Sequence, residues 1–171
     1  MDRIRLENFA SLGVLYANVQ SLLGQNQREK ILAVAKACSR AIHVLALAEV
    51  CQDPDPPHLP GWKLVSHFRG PDNRGVAIYR RSVLPPPPGV QILPGPPPPD
   101  YLTATCDYTS AEFHFSEGEL HELRGFSVTY RNPKNKSVAQ KEQFCGAFVR
   151  KVESETRIGS PPPDLRRGFQ S

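Results

Sequence analysis

Two apolar segments near the amino terminus, each followed by one polar residue, enclose a helical pattern. The first segment covers residues 13–17 and is followed by Asn18, and the second covers residues 43–48 and is followed by Glu49. A strand, a helix and a second strand in this order predict a β-α-β unit with parallel, neighbouring strands. Because the carboxyl ends of parallel strands meet at one edge of a sheet, we expect Asn18 and Glu49 to lie together, where open α/β sheets bind ligands.

Asn18 and Glu49 are candidate metal ligands. An amide oxygen and a carboxylate are hard donors of the kind that Mg²⁺ (or Mn²⁺) prefers. Each residue also has an ordinary interpretation, because Asn after a strand often forms a turn and Glu often marks the point where a strand reaches water. A right-handed crossover brings both strand ends to the same edge. The pair therefore indicates a metal site more strongly than either residue does alone.

The helical pattern between the two segments is amphipathic. Its apolar residues recur at the spacing of one helix face: Ile31, Val34, Ala35, Cys38 and Ile42. Asn26 and Glu29 have the spacing of a capping box, which favours a helix start near residue 26. The pattern predicts a helix that buries its apolar face.

The chain between residues 62 and 130 contains further runs that are typical of strands. These runs are residues 62–68, 75–80, 102–109, 113–115 and 126–130. In the third run, apolar residues alternate with polar ones such as Asp107 and Thr109, which predicts a strand with one face in water. Short antiparallel strands after a β-α-β unit indicate an α/β sandwich of two sheets.

Residues 83–100 contain two runs of four prolines, which together hold eight of the 18 prolines of the chain. Such a segment favours extended polyproline II and is not expected to join a sheet, so we predict a surface insertion between two strands. Its first run resembles the ligands of polyproline-binding domains such as EVH1, SH3 and WW: Pro85, Pro86, Pro87 and Pro88. A non-catalytic interaction module is therefore an alternative function, and a stiff loop without a binding role is another interpretation.

Composition restricts the location and the partners of the chain. The 171 residues suit one domain, and no apolar run approaches the roughly 18 residues that span a bilayer. The amino terminus lacks the apolar core of a signal peptide, so we expect a nuclear or cytoplasmic protein that is not secreted. The four cysteines are widely spaced, which argues against a zinc site or a disulfide framework. Residues 124–171 contain ten basic and four acidic residues, which favours a polyanionic partner or a solvated basic tail.

Four motifs occur in an order that resembles the endonuclease/exonuclease/phosphatase superfamily: residues 15–22, 45–49, 75–79 and 128–133. Within that superfamily, the chain is similar to the amino-terminal endonuclease domain of non-LTR (LINE-type) retrotransposons. The resemblance implies an α/β fold, a partial four-layer α/β sandwich of the deoxyribonuclease I-like type, over residues 1–152. Residues 83–100 would be a proline-rich loop insertion, and residues 153–171 a disordered tail.

The resemblance also implies a DNA substrate, hydrolysis of phosphodiester bonds, and Mg²⁺ (or Mn²⁺) as the cofactor. By the match, Glu49 is the principal metal ligand, Asn18 lies beside the metal, and Tyr130 is a catalytic residue near the scissile phosphate. The basic residues that follow Tyr130 could contact the DNA backbone without reading its sequence. These residues are Arg131, Lys134 and Lys136. A phosphoesterase of the same superfamily, with a substrate such as an inositol phosphate, is a further alternative.

Two motifs of that superfamily do not occur in this sequence. One is a Gly-Asp-x-Asn segment whose Asp orients or deprotonates the attacking water, and the other is a Ser-Asp-His segment whose His contacts the phosphate. A missing general base reduces the rate roughly 10²–10⁴-fold. We therefore expect a carboxyl-terminally truncated domain that is weakly active or inactive alone. All five histidines precede Tyr130, and we predict that His43 is a packing residue.

Overall fold

The computed structural model describes the chain in residues 12–39, 41–51, 55–70, 74–84, 86, 89–131 and 137–158. In these residues the fold is mixed α/β, with two sheets and three helices. The elements in chain order are β1 (Val14–Asn18), α1 (Gln25–Ala37), β2 (Val44–Ala48), β3 (Trp62–Phe68), β4 (Val76–Arg81), β5 (Val90–Pro94), α2 (Asp100–Thr103), β6 (Asp107–Glu117), β7 (Leu120–Tyr130) and α3 (Val138–Ile158). The chain forms two compact units, Met1–Asn132 and Pro133–Ser171.

The first sheet has four strands in the order β1-β2-β4-β3. β1 and β2 are parallel, with Asn18 opposite Ala48, and α1 forms the crossover between them. β4 runs antiparallel to β2 and to β3, and the pairing of β3 with β4 changes register between Leu64 and Ser66. The predicted β-α-β unit is therefore confirmed.

The second sheet is antiparallel and has three strands in the order β5-β6-β7. Apolar side chains of both sheets form one continuous buried cluster, so the two sheets pack face to face. The members of this cluster include Ala46, Val76, Ile78, Phe113 and Val128. The predicted sandwich of two sheets is thus present in the first unit.

β2 lies inside the first sheet and is buried on both faces. All five of its residues have no accessible surface. Leu45 and Leu47 pack in the cluster that contains Ile31 of α1, whereas Val44 and Ala46 pack against the second sheet. Burying one such leucine contributes roughly 1.5–3 kcal/mol. This burial fixes the position of the strand. Glu49, the next residue, is half-buried, and Val50 after it is again part of the core.

The start of α1 differs from the prediction. Gly24 is the N-cap, and no side chain caps the helix, so the capping box expected from Asn26 and Glu29 does not form. Because the helix begins at Gln25, Asn26 already has a helical backbone and cannot adopt the extended N-cap conformation. Glu29 instead accepts a hydrogen bond from the side-chain amide of Gln25 (Nε2 to Oε1, 2.8 Å).

The apolar face of α1 is narrower than its sequence suggested. Ile31 and Ala35 are buried as predicted, but the side chain of Val34 is 50% exposed. Cys38 is the C-cap residue, and Ile42 lies beyond the helix in the same core cluster. Leu32 and Cys38 are only partly buried against the same cluster.

The prediction that residues 83–100 stay outside the sheets is wrong. Val90–Pro94 forms β5, an edge strand that pairs with β6. Only the last residue of this strand lacks an N–H group, and an edge strand needs hydrogen bonds on one side alone. Pro86 is half-buried. Pro85, Pro87 and Pro88 lie outside the described residues, so the polyproline ligand stays a prediction.

The strand predicted over residues 102–109 begins later than expected. Asp100–Thr103 forms the short helix α2, and β6 starts at Asp107. Asp107 and Thr109 are buried, which contradicts the water-facing side predicted for them. They share a face of β6 with Phe113, and that face packs against the first sheet. Alternation of apolar and polar residues separates the two faces of a strand. It does not show which of the two faces a second sheet covers.

The second unit contains α3, which sequence analysis did not identify. Ser137 and Gln140 form a capping box at its start, with the Gln140 N–H donating to Ser137 Oγ (3.2 Å) and the Ser137 N–H donating to Gln140 Oε1 (2.9 Å). The prediction placed a disordered tail from residue 153, but α3 continues to Ile158. Residues 159–171 lie outside the described part of the chain. No described helix is long and apolar enough to cross a membrane.

Candidate metal and phosphate site

The chain segments that leave β1 and β2 run side by side. Asn18 is the last residue of β1, and Glu49 directly follows β2. Backbone hydrogen bonds continue beyond the strands, from the Val19 N–H to the Ala48 oxygen (3.0 Å) and from the Ser21 N–H to the Glu49 oxygen (2.7 Å). The two predicted metal ligands are therefore brought together by the parallel pairing that the β-α-β pattern predicted.

The side chains of Asn18 and Glu49 are in direct contact. Asn18 Nδ2 donates a hydrogen bond to Glu49 Oε1 (2.9 Å), and Asn18 Oδ1 accepts one from the Gln20 N–H (3.2 Å). Because a backbone N–H can only donate, this second bond fixes the amide with its oxygen towards Gln20 and its nitrogen towards Glu49. In this arrangement Asn18 orients the carboxylate of Glu49.

The backbone at these two strand ends is strained. Four non-glycine residues in the described chain have a positive φ, and all four lie here: Gln20 (51°), Ser21 (98°), Glu49 (56°) and Cys51 (52°). Each such conformation costs roughly 1–3 kcal/mol, persists only where its surroundings hold it, and occurs preferentially at functional sites. Glu49 itself adopts a left-handed backbone at the point where β2 ends.

The residues after Glu49 are held by the start of β4. The Val50 N–H donates to the Gly75 oxygen (3.2 Å), and the Cys51 N–H donates to the Arg74 oxygen (2.6 Å). These bonds extend the pairing of β2 with β4 past the end of both strands. Glu49 is thus placed between β1 and β4 at one edge of the first sheet.

Arg74 belongs to the same site, although sequence analysis assigned it no role. Its guanidinium Nη1 approaches the sulfur of Cys51 (3.9 Å). This hydrogen bond raises the pKa of Arg74, and the nearby side chains of Glu49 and Tyr130 raise it further. The only signal in the sequence was an arginine before an apolar strand, which is usually just a surface residue.

Tyr130, predicted as a catalytic residue, is the last residue of β7 and lies opposite Asp107 in the second sheet. The side chain of Asp107 accepts the Gly75 N–H, and the Gly75 oxygen accepts the Val50 N–H, so Tyr130 lies at the same edge of the fold as Glu49. Arg131 follows and is half-buried. Lys134 and Lys136, the other predicted DNA contacts, lie outside the described residues.

Asp107 is a buried carboxylate that the sequence analysis missed. Its side chain has no accessible surface, and it accepts hydrogen bonds from the Gly70 N–H at Oδ1 (2.5 Å) and from the Gly75 N–H at Oδ2 (2.9 Å). Gly75 is the residue whose carbonyl oxygen binds the Val50 N–H. Asp107 is therefore linked to the site through backbone hydrogen bonds.

His43 does not contribute to this edge. His43 is buried at the amino end of β2, where its Nδ1 accepts a hydrogen bond from the Gly13 N–H (3.0 Å). Burial lowers the pKa of His43, and the charge of Arg81 lowers it further. His43 is thus a packing residue, as predicted. Within the described residues, no group of three or more His, Cys, Asp or Glu side chains could hold a metal ion.

The side-chain oxygens of Asn18 and Glu49 suit Mg²⁺ better than they suit a metal ion that needs many protein ligands. Mg²⁺ usually keeps several waters and binds through one or two carboxylates together with substrate phosphates. A carboxylate has about four lone-pair positions, so it can accept a bond from Asn18 and coordinate a cation at the same time. Glu49 is the residue suited to direct coordination, whereas the amide of Asn18 is directed to orient it.

Comparison with known proteins gives no neighbour for this chain: no family model, curated protein or solved structure matches it.

Proposed function

We propose that this chain is a Mg²⁺-dependent DNA endonuclease domain of the endonuclease/exonuclease/phosphatase type. The observation that supports it most is the 2.9 Å hydrogen bond between Asn18 and Glu49 at the carboxyl ends of two adjacent parallel strands. In this proposal, α1 and the two sheets are three layers of a four-layer sandwich. The edge formed by Asn18, Glu49, Arg74 and Tyr130 is the phosphodiester site.

Each residue of this edge has a chemical role in the proposal. Glu49 coordinates the cation, and Asn18 keeps its carboxylate in the coordinating orientation. Mg²⁺, when bound, supplies neutralisation of the negative charge on the phosphoryl oxygens. Arg74 attracts the phosphate, because its guanidinium interacts electrostatically with Glu49 and stays charged. Tyr130 donates a hydrogen bond to a phosphate oxygen.

DNA is the substrate because its backbone supplies both the phosphate and an extended polyanion. Arg131 directly follows Tyr130 in the chain, and Lys134 and Lys136 come shortly after it. Basic side chains of this kind bind phosphates without reading bases, so we expect binding that weakens as salt increases. A soluble phosphate ester such as an inositol phosphate would use the metal but not these additional charges.

Hydrolysis by this chain is expected to be slow. The sequence contains no Gly-Asp-x-Asn segment to supply a base for the attacking water. A positioned base contributes roughly 10²–10⁴-fold to the rate. Metal binding is therefore the primary measurement, and nicking of supercoiled plasmid is the secondary one.

The test uses two substitutions that make the same chemical change. Glu49→Gln removes the charge of the proposed ligand, whereas Glu29→Gln removes the charge of an exposed glutamate on α1. Binding of Mn²⁺, followed by the electron paramagnetic resonance of the free ion, should weaken at least about 10-fold in Glu49→Gln and stay unchanged in Glu29→Gln. Plasmid nicking, where measurable, should follow the same order.

The proposal fails if Glu49→Gln binds Mn²⁺ as tightly as the unchanged protein. If Mn²⁺ binding depends on Glu49 but an inositol phosphate is hydrolysed and plasmid DNA is not, the metal site stands and the DNA substrate is wrong. The first outcome tests metal binding by Glu49, and the second tests whether DNA is the substrate.

A further inference from the structure

We propose that Asp107 is a positioning residue for this site: its buried carboxylate holds Gly70 and Gly75, and through them the turn that presents Glu49. Of the two tests of this inference, only the measurement of Mn²⁺ affinity rests on the proposed function. Its structural part concerns backbone geometry that can be measured without a metal. Asp107 itself touches neither the proposed ion nor the substrate.

The first step is the bond pattern of the carboxylate. Oδ1 accepts the Gly70 N–H (2.5 Å) and Oδ2 accepts the Gly75 N–H (2.9 Å), so one side chain joins two points of the chain between β3 and β4. Because Asp107 is buried, both bonds are shielded from water, which strengthens them relative to exposed hydrogen bonds. The carboxylate thereby fixes the distance between Gly70 and Gly75.

The second step leads from Gly75 to Glu49. The Gly75 oxygen accepts the Val50 N–H (3.2 Å), and the Arg74 oxygen accepts the Cys51 N–H (2.6 Å). Val50 and Cys51 directly follow Glu49, whose φ of 56° is unfavourable for a residue with a side chain. The segment that Asp107 fixes is thus the segment that keeps Glu49 in this conformation.

The third step concerns the opposite side of the site. Asp107 is the first residue of β6 and lies directly opposite Tyr130, the last residue of β7. Its backbone therefore pairs with the proposed catalytic tyrosine, while its side chain binds the residue next to Arg74. Asp107 is connected in this way to both the metal-binding and the phosphate-binding parts of the edge.

Both residues that Asp107 binds are glycines, and a side chain would be unfavourable at either position. A Cβ atom at Gly70 would lie 2.6 Å from Asp107 Oδ1 and 2.7 Å from Phe68 Cε1, which is too close for either contact. Gly75 has a φ of 73°, a conformation that favours glycine. Gly70→Ala should therefore displace the carboxylate without changing Asp107.

The experiment compares Asp107→Asn and Gly70→Ala with Phe115→Leu, a core substitution in the same strand far from the site. All variants are studied at a temperature where circular dichroism shows them to be folded. We expect Mn²⁺ to bind about 10-fold more weakly to Asp107→Asn and Gly70→Ala, because orienting partners of a metal ligand usually change affinity by roughly 10–100-fold. Phe115→Leu should lower the melting temperature and leave the affinity unchanged.

A second readout needs no metal. Amide hydrogen exchange should accelerate at Val50 and Cys51 in Asp107→Asn, relative to the same amides in Phe115→Leu. A purely structural role predicts equal acceleration in both variants at equal loss of stability.

The inference is overturned if folded Asp107→Asn keeps the affinity for Mn²⁺ and the exchange rates at Val50 and Cys51 of the unchanged protein. Should Asp107→Asn not fold, Gly70→Ala decides by the same criteria. If the unchanged protein binds no Mn²⁺, the proposed function fails, and the exchange rates alone decide whether Asp107 positions the turn.

Discussion

Both ends of the β6–β7 hairpin carry polar side chains, but the backbone around the two ends differs. One end, at Asp107 and Tyr130, adjoins the edge that contains Asn18 and Glu49, which we call the strand-end site. The other end, about 30 Å away along the strands, has a cavity of about 510 Å³ whose lining includes His114, Ser116 and His121. The far end thus has a cavity, whereas the two predicted metal ligands meet at the strand-end site.

The backbone shows the same difference. At the far end, the left-handed positions are Gly89 and Gly118, where the conformation involves little strain. At the strand-end site, left-handed conformations occur at residues with side chains, including Glu49, and hydrogen bonds to neighbouring segments hold them. The comparison indicates that strain maintained by neighbouring elements marks the candidate site in this fold.

The largest effect that can test this contrast is a loss of stability at the strand that presents the site. Leu47→Ala in the fully buried β2 should lower the free energy of unfolding by about 2–5 kcal/mol. Leu123→Ala, at a far-end side chain that is 58% exposed, should change it by less than about 0.5 kcal/mol. Urea denaturation followed by circular dichroism measures both. Similar losses for the two variants would contradict the view that β2 is the rigid support of the site.

A smaller effect concerns His43, at the amino end of the same strand. Because burial and Arg81 lower its pKa in the folded state, the unfolded chain binds more protons at mildly acidic pH. The contribution of His43 to stability should be constant above about pH 6.5 and should fall as the pH decreases from that value towards the lowered pKa. His43→Gln, whose amide oxygen can still accept the Gly13 N–H, should lack this component. If the free energy of unfolding varies with pH in the same way in the unchanged protein and in His43→Gln between roughly pH 4.5 and 7, His43 makes no such contribution.

The β-α-β unit and the meeting of Asn18 with Glu49 could be predicted from sequence, because they follow from local rules. Apolar runs identify strands, 3.6-residue periodicity identifies α1, and the crossover places the strand ends at one edge. No detail of packing is needed for these conclusions. The proximity of Asn18 and Glu49 could therefore be predicted without knowledge of the rest of the fold.

The features that could not be predicted depend on contacts between distant segments. β5 forms between two proline runs because β6 offers it an edge, and Asp107 is buried because the first sheet covers that face of β6. Arg74 joins the site only because β4 continues its pairing with the chain after Glu49. Periodicity in one segment contains no information about such partners.

The central claim is tested most directly by a crystal of the protein soaked in Mn²⁺, with anomalous difference density used to locate the ion. The account predicts one peak about 2.1 Å from a carboxylate oxygen of Glu49, near the side chain of Asn18, and its loss in Glu49→Gln. A peak beside His114 and His121 with none at Glu49, or no peak at a saturating concentration, would contradict it.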